Sequence, residues 1–161
     1  MTPDRVADQV LCWVKAAIVA NGCPEPSRSY VSAGGVAWDT CDQLTVGVAG
    51  RIFRSVQFPN EYRGEERCFD GWLVVPLAIV WTRCVPSIDA RANPPSADAL
   101  QKAHAAIYRD AALVWNLVEA GSLPDEEWER AIVTQEFIGP QGGVLAIDTR
   151  VTIGVGHEVW C

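Results

Sequence analysis

The side chains able to do chemistry in this chain are few and scattered. There are two histidines, His104 and His157, and six cysteines, at positions 12, 23, 41, 68, 84 and 161. His104 falls in a helical stretch whose acids Asp110 and Glu119 stand too far along to share a site with it, so it reads as a surface or packing histidine. His157 shares the phase of Val155 and Val159 in an alternating run, the place of a buried or interfacial imidazole rather than of a general base. No two cysteines form a C-x-x-C pair, and with so few histidines no zinc-type ligand set emerges. The thiols read as small buried apolar groups, the alternative being a disulfide among Cys41, Cys68 and Cys84. The acidic run PDEEWERA, 124–131, could supply paired carboxylates, but Glu126 and Glu127 are adjacent and diverge, and nothing beside them would raise a pKa. It reads as a solvated face anchored by Trp128.

Nucleotide and hydrolase signatures are missing too. No G-x-G-x-x-G follows a strand, and there is no P-loop, G-x-S-x-G or H-E-x-x-H. The glycines of SAGGVA and PQGGVL read as turn residues. The expectation is a protein without catalytic residues, metal or cofactor.

Charge and composition narrow the class further. With 20 acidic and 13 basic residues the 161-residue chain has a formal charge of -7, which argues against tight binding to a nucleic-acid backbone. Hydrophobic residues at 49% and charged residues at 20% are those of a globular chain, and the length suits one domain over 1–161. Seven tryptophans are many for this length and suit cores and interfaces. The N-terminal MTPDRVADQV lacks the apolar centre of a leader, and the longest apolar run falls short of the ~18 residues of a membrane-spanning helix. Folding in a cytoplasm is expected, with no membrane partner.

The elements that would position these residues follow from periodicity. Thr2, Pro3 and Asp4 open a helix whose apolar face is Val6, Val10, Trp13, Val14, Ala17 and Ile18, and Gly22 with Pro24 closes it. Residues 24–35 read as loop. In CDQLTVGVAGRIFRSVQFP, Leu44, Val46 and Val48 alternate with Gln43, Thr45 and Gly47, a strand with one solvated face. NEYRGEER, 60–67, is an exposed connection. Ser96 and Asp98 start a second helix with the stripe Leu100, Ala103, Ile107, Ala111, Val114 and Val118, ending at Gly121 and Pro124. Val133, Gln135 and Phe137, the turn GPQGG, and then Leu145, Ile147, Val151, Ile153 and Val155 make a closing hairpin. The expected fold is α+β: an antiparallel or mixed sheet with two main helices packed on one face, in the order α-β-β-α-β-β.

One stretch poses a problem of coverage. In GWLVVPLAIVW, 71–81, Leu73, Val75, Leu77, Ile79 and Trp81 form one face of a strand, and Trp72, Val74, Ala78 and Val80 form the other. Burial on both sides points to a central strand, whereas Pro76 lacks the amide that a central ladder uses. The two are reconciled if the strand lies near an edge or is bulged at Pro76, with its second face against a neighbouring subunit. The alternative is a second face covered from within the same chain.

The order of elements, together with CDQLTVGVAGRIFRSVQFP, CFDGWLVVPLAIVWTRCVP, the long alanine-rich helix and the closing LAIDTRVTIGV, resembles the head-to-tail connection proteins of long-tailed, non-contractile bacteriophages, and among them the tail terminators. That resemblance implies a virion protein assembled in the host cytoplasm. It implies a ring of six copies that caps the tail tube, stops its polymerisation and joins it to the head-side connector or stopper. From the charge of -7 per copy, the bore of such a ring is expected to let genome DNA pass without specific binding, unless basic residues are segregated inward. It implies no reaction, and it transfers no functional residue. From the residues alone, the candidate subunit or partner contacts are Phe58, Tyr62, Arg63, Trp72, Val74, Ala78, Val80, Trp128 and Trp160. The competing readings are another neck component, a stopper or adaptor, and a small cytoplasmic enzyme or ligand-binding domain.

Overall fold

The computed structural model describes residues 1–34, 40–64 and 69–160. Helix α1 spans Pro3–Ala20 and α2 spans Ala97–Ala120. The strands are β1 (Arg28–Ser32), β2 (Gln43–Val48), β3 (Phe53–Ser55), β4 (Phe69–Cys84), β5 (Trp128–Gln141) and β6 (Val144–Trp160). They form one sheet in the order β1-β2-β4-β6-β5, with β3 also paired to β4, and both helices pack on one of its faces. The α+β class holds, but two strands go beyond the expected order. β1 lies in the segment read as loop and runs parallel to β2, and β3 is a three-residue piece beside β4.

Each helix is bounded by chemistry that the sequence carries. Pro3 opens α1 with Asp4 in the first turn, while Thr2 contributes its carbonyl, which accepts from the Val6 N–H at 3.1 Å, and no side-chain cap. At the other end Gly22, at φ +63, lets the chain turn back so that the Cys23 N–H reaches the Ile18 carbonyl at 3.1 Å. Ser96 caps α2, its hydroxyl accepting from the Ala99 N–H at 3.2 Å. The last carbonyls of α2 are met from the sheet: Arg130 Nη1 on β5 donates to Val118 O at 3.0 Å and to Gly121 O at 2.6 Å. Ile107, Ala111, Val114 and Val118 are buried as the periodicity predicts, whereas Leu100 and Ala103 are half-buried, so the first turns of α2 stand partly outside the core.

The Pro76 conflict is settled by a change of partner along β4. One edge of this strand pairs with β6 along its length; the other pairs with β2 from Leu77 to Thr82 and with β3 from Trp72 to Val74. Pro76 stands in the gap between those two partners, where no ladder amide is asked of it, and its carbonyl still accepts from the Ala49 N–H at 2.9 Å. β4 is thus central, not near an edge, and its register shift lies between Trp72 and Leu73, not at Pro76. Opposite that shift Gly156, at φ +55, is the extra residue between the pairs Val155–Leu73 and His157–Trp72. The simple alternation that put His157 in phase with Val155 therefore does not cross it, and the side chain of His157 lies outside the described residues. The closing hairpin turns on Gly142 and Gly143 alone, at φ +56 and +81, so the strands run further through GPQGG than the sequence indicated.

The core lies between sheet and helices. Leu44, Val46, Val75, Leu77, Ile79, Trp81, Ile147, Val151 and Ile153 meet Val6, Val10, Val14 and Ile18 of α1 and the buried stripe of α2. Each such side chain contributes about 1.5–3 kcal/mol by leaving water. At one end of this layer Arg83 joins three elements. Its Nε donates to Asp110 Oδ2 on α2 at 2.8 Å, Nη1 to Asp42 Oδ1 at 2.6 Å, and Nη2 to the Pro24 carbonyl at 3.2 Å. Its guanidinium also lies 4.2 Å from the centre of the Trp81 ring. Beside this network Cys41 and Cys84 form a disulfide, with Cα atoms 4.9 Å apart. The reading of these two cysteines as free buried thiols is therefore corrected. Cys23 is a buried free thiol and Cys12 an exposed one, while Cys68 and Cys161 lie outside the described residues.

Candidate functional site

The second face of the sheet, opposite the helices, carries smaller side chains in three cross-strand rows. Gln43, Thr82, Ala146 and Ile138 make the first, Thr45, Val80, Asp148 and Glu136 the second, and Gly47, Ala78, Arg150 and Thr134 the third. The phase of β2 expected to be solvated is buried, since Gln43 and Thr45 are both 0% exposed. The chain itself closes both ends of this face. At one end Ser32 and Gly34 lie against Gly47, where an added Cβ would stand 2.8 Å from the Ser32 carbonyl oxygen. At the other, the segment around β3 folds over: Phe58 meets Trp72 with ring centres 6.2 Å apart, and a Cβ at Gly154 would come within 2.8 Å of Phe58 Cδ2.

Between these covers a cleft of about 460 Å³ remains. Ala78 and Val80 make its floor, together with Ala146 forming a small buried cluster against which Ala49 and Ile138 pack. Gly34, Gly47, Val48 and Gly50 wall it on one side and Ile138 on the other, with Asp148 and Arg150 between. Ala78 leaves room in this floor, where its chain neighbours on the helix side are Leu77 and Ile79.

The electrostatics of the cleft are uneven. Asp148 is 4% exposed, and its Oδ2 accepts from Arg150 Nη2 at 3.0 Å and from Nε at 3.2 Å. The hydrogen bond and charge of Asp148, with Glu136 adding to them, push the Arg150 guanidinium above its ordinary value, so it stays charged. Asp148 Oδ1 has no hydrogen-bond partner, nor has the buried hydroxyl of Thr45 in the same row. A buried carboxylate oxygen left without a donor is costly, because it has lost water and gained nothing. The charged residues lining the cleft, Asp148 and Arg150, balance one another over an apolar floor, and the exposed Glu136 stands beside Asp148 on the neighbouring strand.

No protein-family model matches the chain, and no curated protein matches it in sequence. The site is therefore read from its residues. Among the described residues no group of three His, Cys, Asp or Glu could hold a metal ion, and no helix is long and apolar enough to cross a membrane.

The expected contact residues fall into three sets. Val74, Ala78 and Val80 are on the second face as expected, but at 0, 8 and 4% exposed they are already buried within one chain, and only the cleft above Ala78 and Val80 is open. Trp72 and Phe58 are half-buried against each other, and Tyr62 is half-buried, its N–H donating to the Arg54 carbonyl at 2.8 Å. Arg63 is outward, its side chain 85% exposed and 3.5 Å from Glu61. Trp128 is corrected: at 5% exposure it belongs to the core, held by a turn in which its N–H reaches the Asp125 carbonyl at 3.2 Å. The side chain of Trp160 lies outside the described residues. His104 is exposed on α2. Sequence reasoning missed Asp148 and Arg150 as site residues. Their spacing of two on a strand puts them on one face, a signal that was legible once Val80 and Ala78 were placed opposite.

Proposed function

We propose that this chain is a structural virion protein: a tail terminator of a long non-contractile-tailed bacteriophage, assembling as a six-membered ring that caps the tail tube and receives the head-side connector. The observation that carries the reading is the second face of the sheet. It has a small apolar cluster, Ala78, Val80 and Ala146, set among polar and charged rows, and among the described residues it is covered by its own chain at both ends and open over Ala78 and Val80. The α+β fold with both helices on the other face agrees with what the sequence resemblance implies. A ring subunit needs two different surfaces that meet head to tail, and this molecule offers a cleft on one face and a charged connection, 60–67, elsewhere on the chain. In this reading the protein catalyses nothing and takes no cofactor, and DNA passes through the ring unread.

Tail length tests the proposal. Disruption of this gene should give overlong, headless tubes beside DNA-filled heads in electron micrographs of the lysate. Tails of normal length beside leaking heads would make the protein a stopper or adaptor. Intact particles would leave the small ligand-binding domain, a reading that draws on the Asp148 and Arg150 cleft.

A further inference from the structure

We infer that the Cys41–Cys84 bond is a reversible redox clamp, opened by small thiols and closed again by small disulfides on a chain that stays folded in both states. Access is the first observation. Cys84, the last residue of β4, is exposed and Cys41 is half-buried, so a thiolate reaches the bond without unfolding the core. Retention of the corner is the second, because every residue flanking the two cysteines is held by something other than sulfur. The Thr40 carbonyl accepts from Thr82 Oγ1 at 3.2 Å, and the Asp42 N–H donates to the Thr82 carbonyl at 3.0 Å. Arg83 Nη1 donates to Asp42 Oδ1 at 2.6 Å, and the Val85 N–H to the Gly143 carbonyl at 2.8 Å. Asp42, in the left-handed region at φ +66, also takes the Ser27 N–H on Oδ2 at 3.2 Å and the Ser27 hydroxyl on its carbonyl at 2.9 Å. Two thiols left at such a corner stay close together, which favours their own bond over a mixed disulfide.

The exchange balances with the thiol couple alone. An external thiolate attacks the sulfur of Cys84, the more exposed of the two residues, forms a mixed disulfide there and expels the Cys41 thiolate. A second external thiolate removes the first as a free disulfide and leaves Cys84 reduced. Closure is the reverse, a low-molecular-weight disulfide such as oxidised glutathione taking the two electrons from the two cysteines. Arg83 carries the state of the bond inward, since it precedes Cys84 in the chain and its Nε donates to Asp110 Oδ2 on α2 at 2.8 Å. By linkage, contacts that favour the closed bond are themselves favoured by closure. The clamp does not rest on the ring reading.

Equilibration of the purified protein in glutathione buffers provides the test, with each cysteine mapped by alkylation and mass spectrometry. Cys41 and Cys84 should open together and close again on reoxidation, with glutathione caught on Cys84 midway, while the methyl signals of the core residues Ile79 and Ile147 keep their folded positions. Exchange of the Arg83 Nε–H with water should quicken at least about threefold in the reduced chain. Asp42→Asn suits the left-handed corner but removes the charge of the ion pair, and should lower the equilibrium constant for closure about fivefold. Should that variant fail to fold, Ser27→Ala, at an exposed residue, should lower it about twofold. A bond that is reduced only in denaturant, or that does not re-form, overturns the clamp. Glutathione caught on Cys41 overturns the point of attack. Closure as favourable in the variants as in the parent chain overturns the corner as what positions the thiols, and unchanged Arg83 exchange overturns the link to α2.

Discussion

The two faces of β4 make a natural contrast, because one strand supplies both and both are apolar. Toward the helices it presents Leu73, Val75, Leu77, Ile79 and Trp81; away from them it presents Trp72, Val74, Pro76, Ala78 and Val80. The first set is large and meets two helices. The second is smaller in its middle, meets only short pieces of chain, and leaves a cleft where the alanine stands. Burial alone does not separate the faces, since Trp81 is 0% and Val80 4% exposed. What separates them is how much partner surface each has to fill, and that depends on side-chain volume.

Breaking the helix face should cost most. Trp81→Ala removes the largest fully buried side chain together with the ring under Arg83, and should destabilise by about 3–5 kcal/mol in urea unfolding. Val80→Ala, one residue away on the other face, removes fewer methyl groups beside existing space and should cost about 1–2 kcal/mol. Equal losses would erase the contrast. The disulfide comes next. Cys41→Ser/Cys84→Ser frees a loop whose ends are 43 positions apart in sequence and should lower stability by about 2–4 kcal/mol, measured by chemical denaturation under non-reducing conditions. Adding volume sharpens the comparison. Ala78→Val should be nearly neutral in melting temperature, because its added methyls enter the cleft. Ala7→Leu, at 0% exposure under the helix, should cost about 1–3 kcal/mol by overpacking.

How much of this was legible in the sequence depended on the length of each pattern. Both helices could be read because caps, stripe and terminating glycine agree over many turns, and the hairpin because its alternation is long. β1 was not, since RSYVS is five residues with no apolar alternation, and its pairing with β2 is a long-range choice. β3 was missed for the same reason. Pro76 was read as placing the strand near an edge or bulging it, and that failed because a strand whose neighbour changes halfway along leaves no trace in its own sequence. The apolar second face was legible; what covers it was not, because Phe58, Ser32 and Gly34 reach it through tertiary folding. Trp128 was misplaced because the acids around it, Glu126, Glu127 and Glu129, are all exposed and conceal one inward position in a strand of alternating direction. The Cys41–Cys84 pairing was open among three cysteines until β2 and β4 were placed side by side.

That pairing also changes what a cut in the chain would mean. The bond encloses β2, β3 and the whole of β4 in a closed covalent circuit, and the exposed Arg63 lies inside it. A protease acting after Arg63 would open the circuit without dividing the molecule, since the two pieces stay tied through sulfur. Such a nicked chain stays one molecule, heavier only by the water added at the cut, until a reductant is added, because the bond between β2 and β4 lies outside the cut.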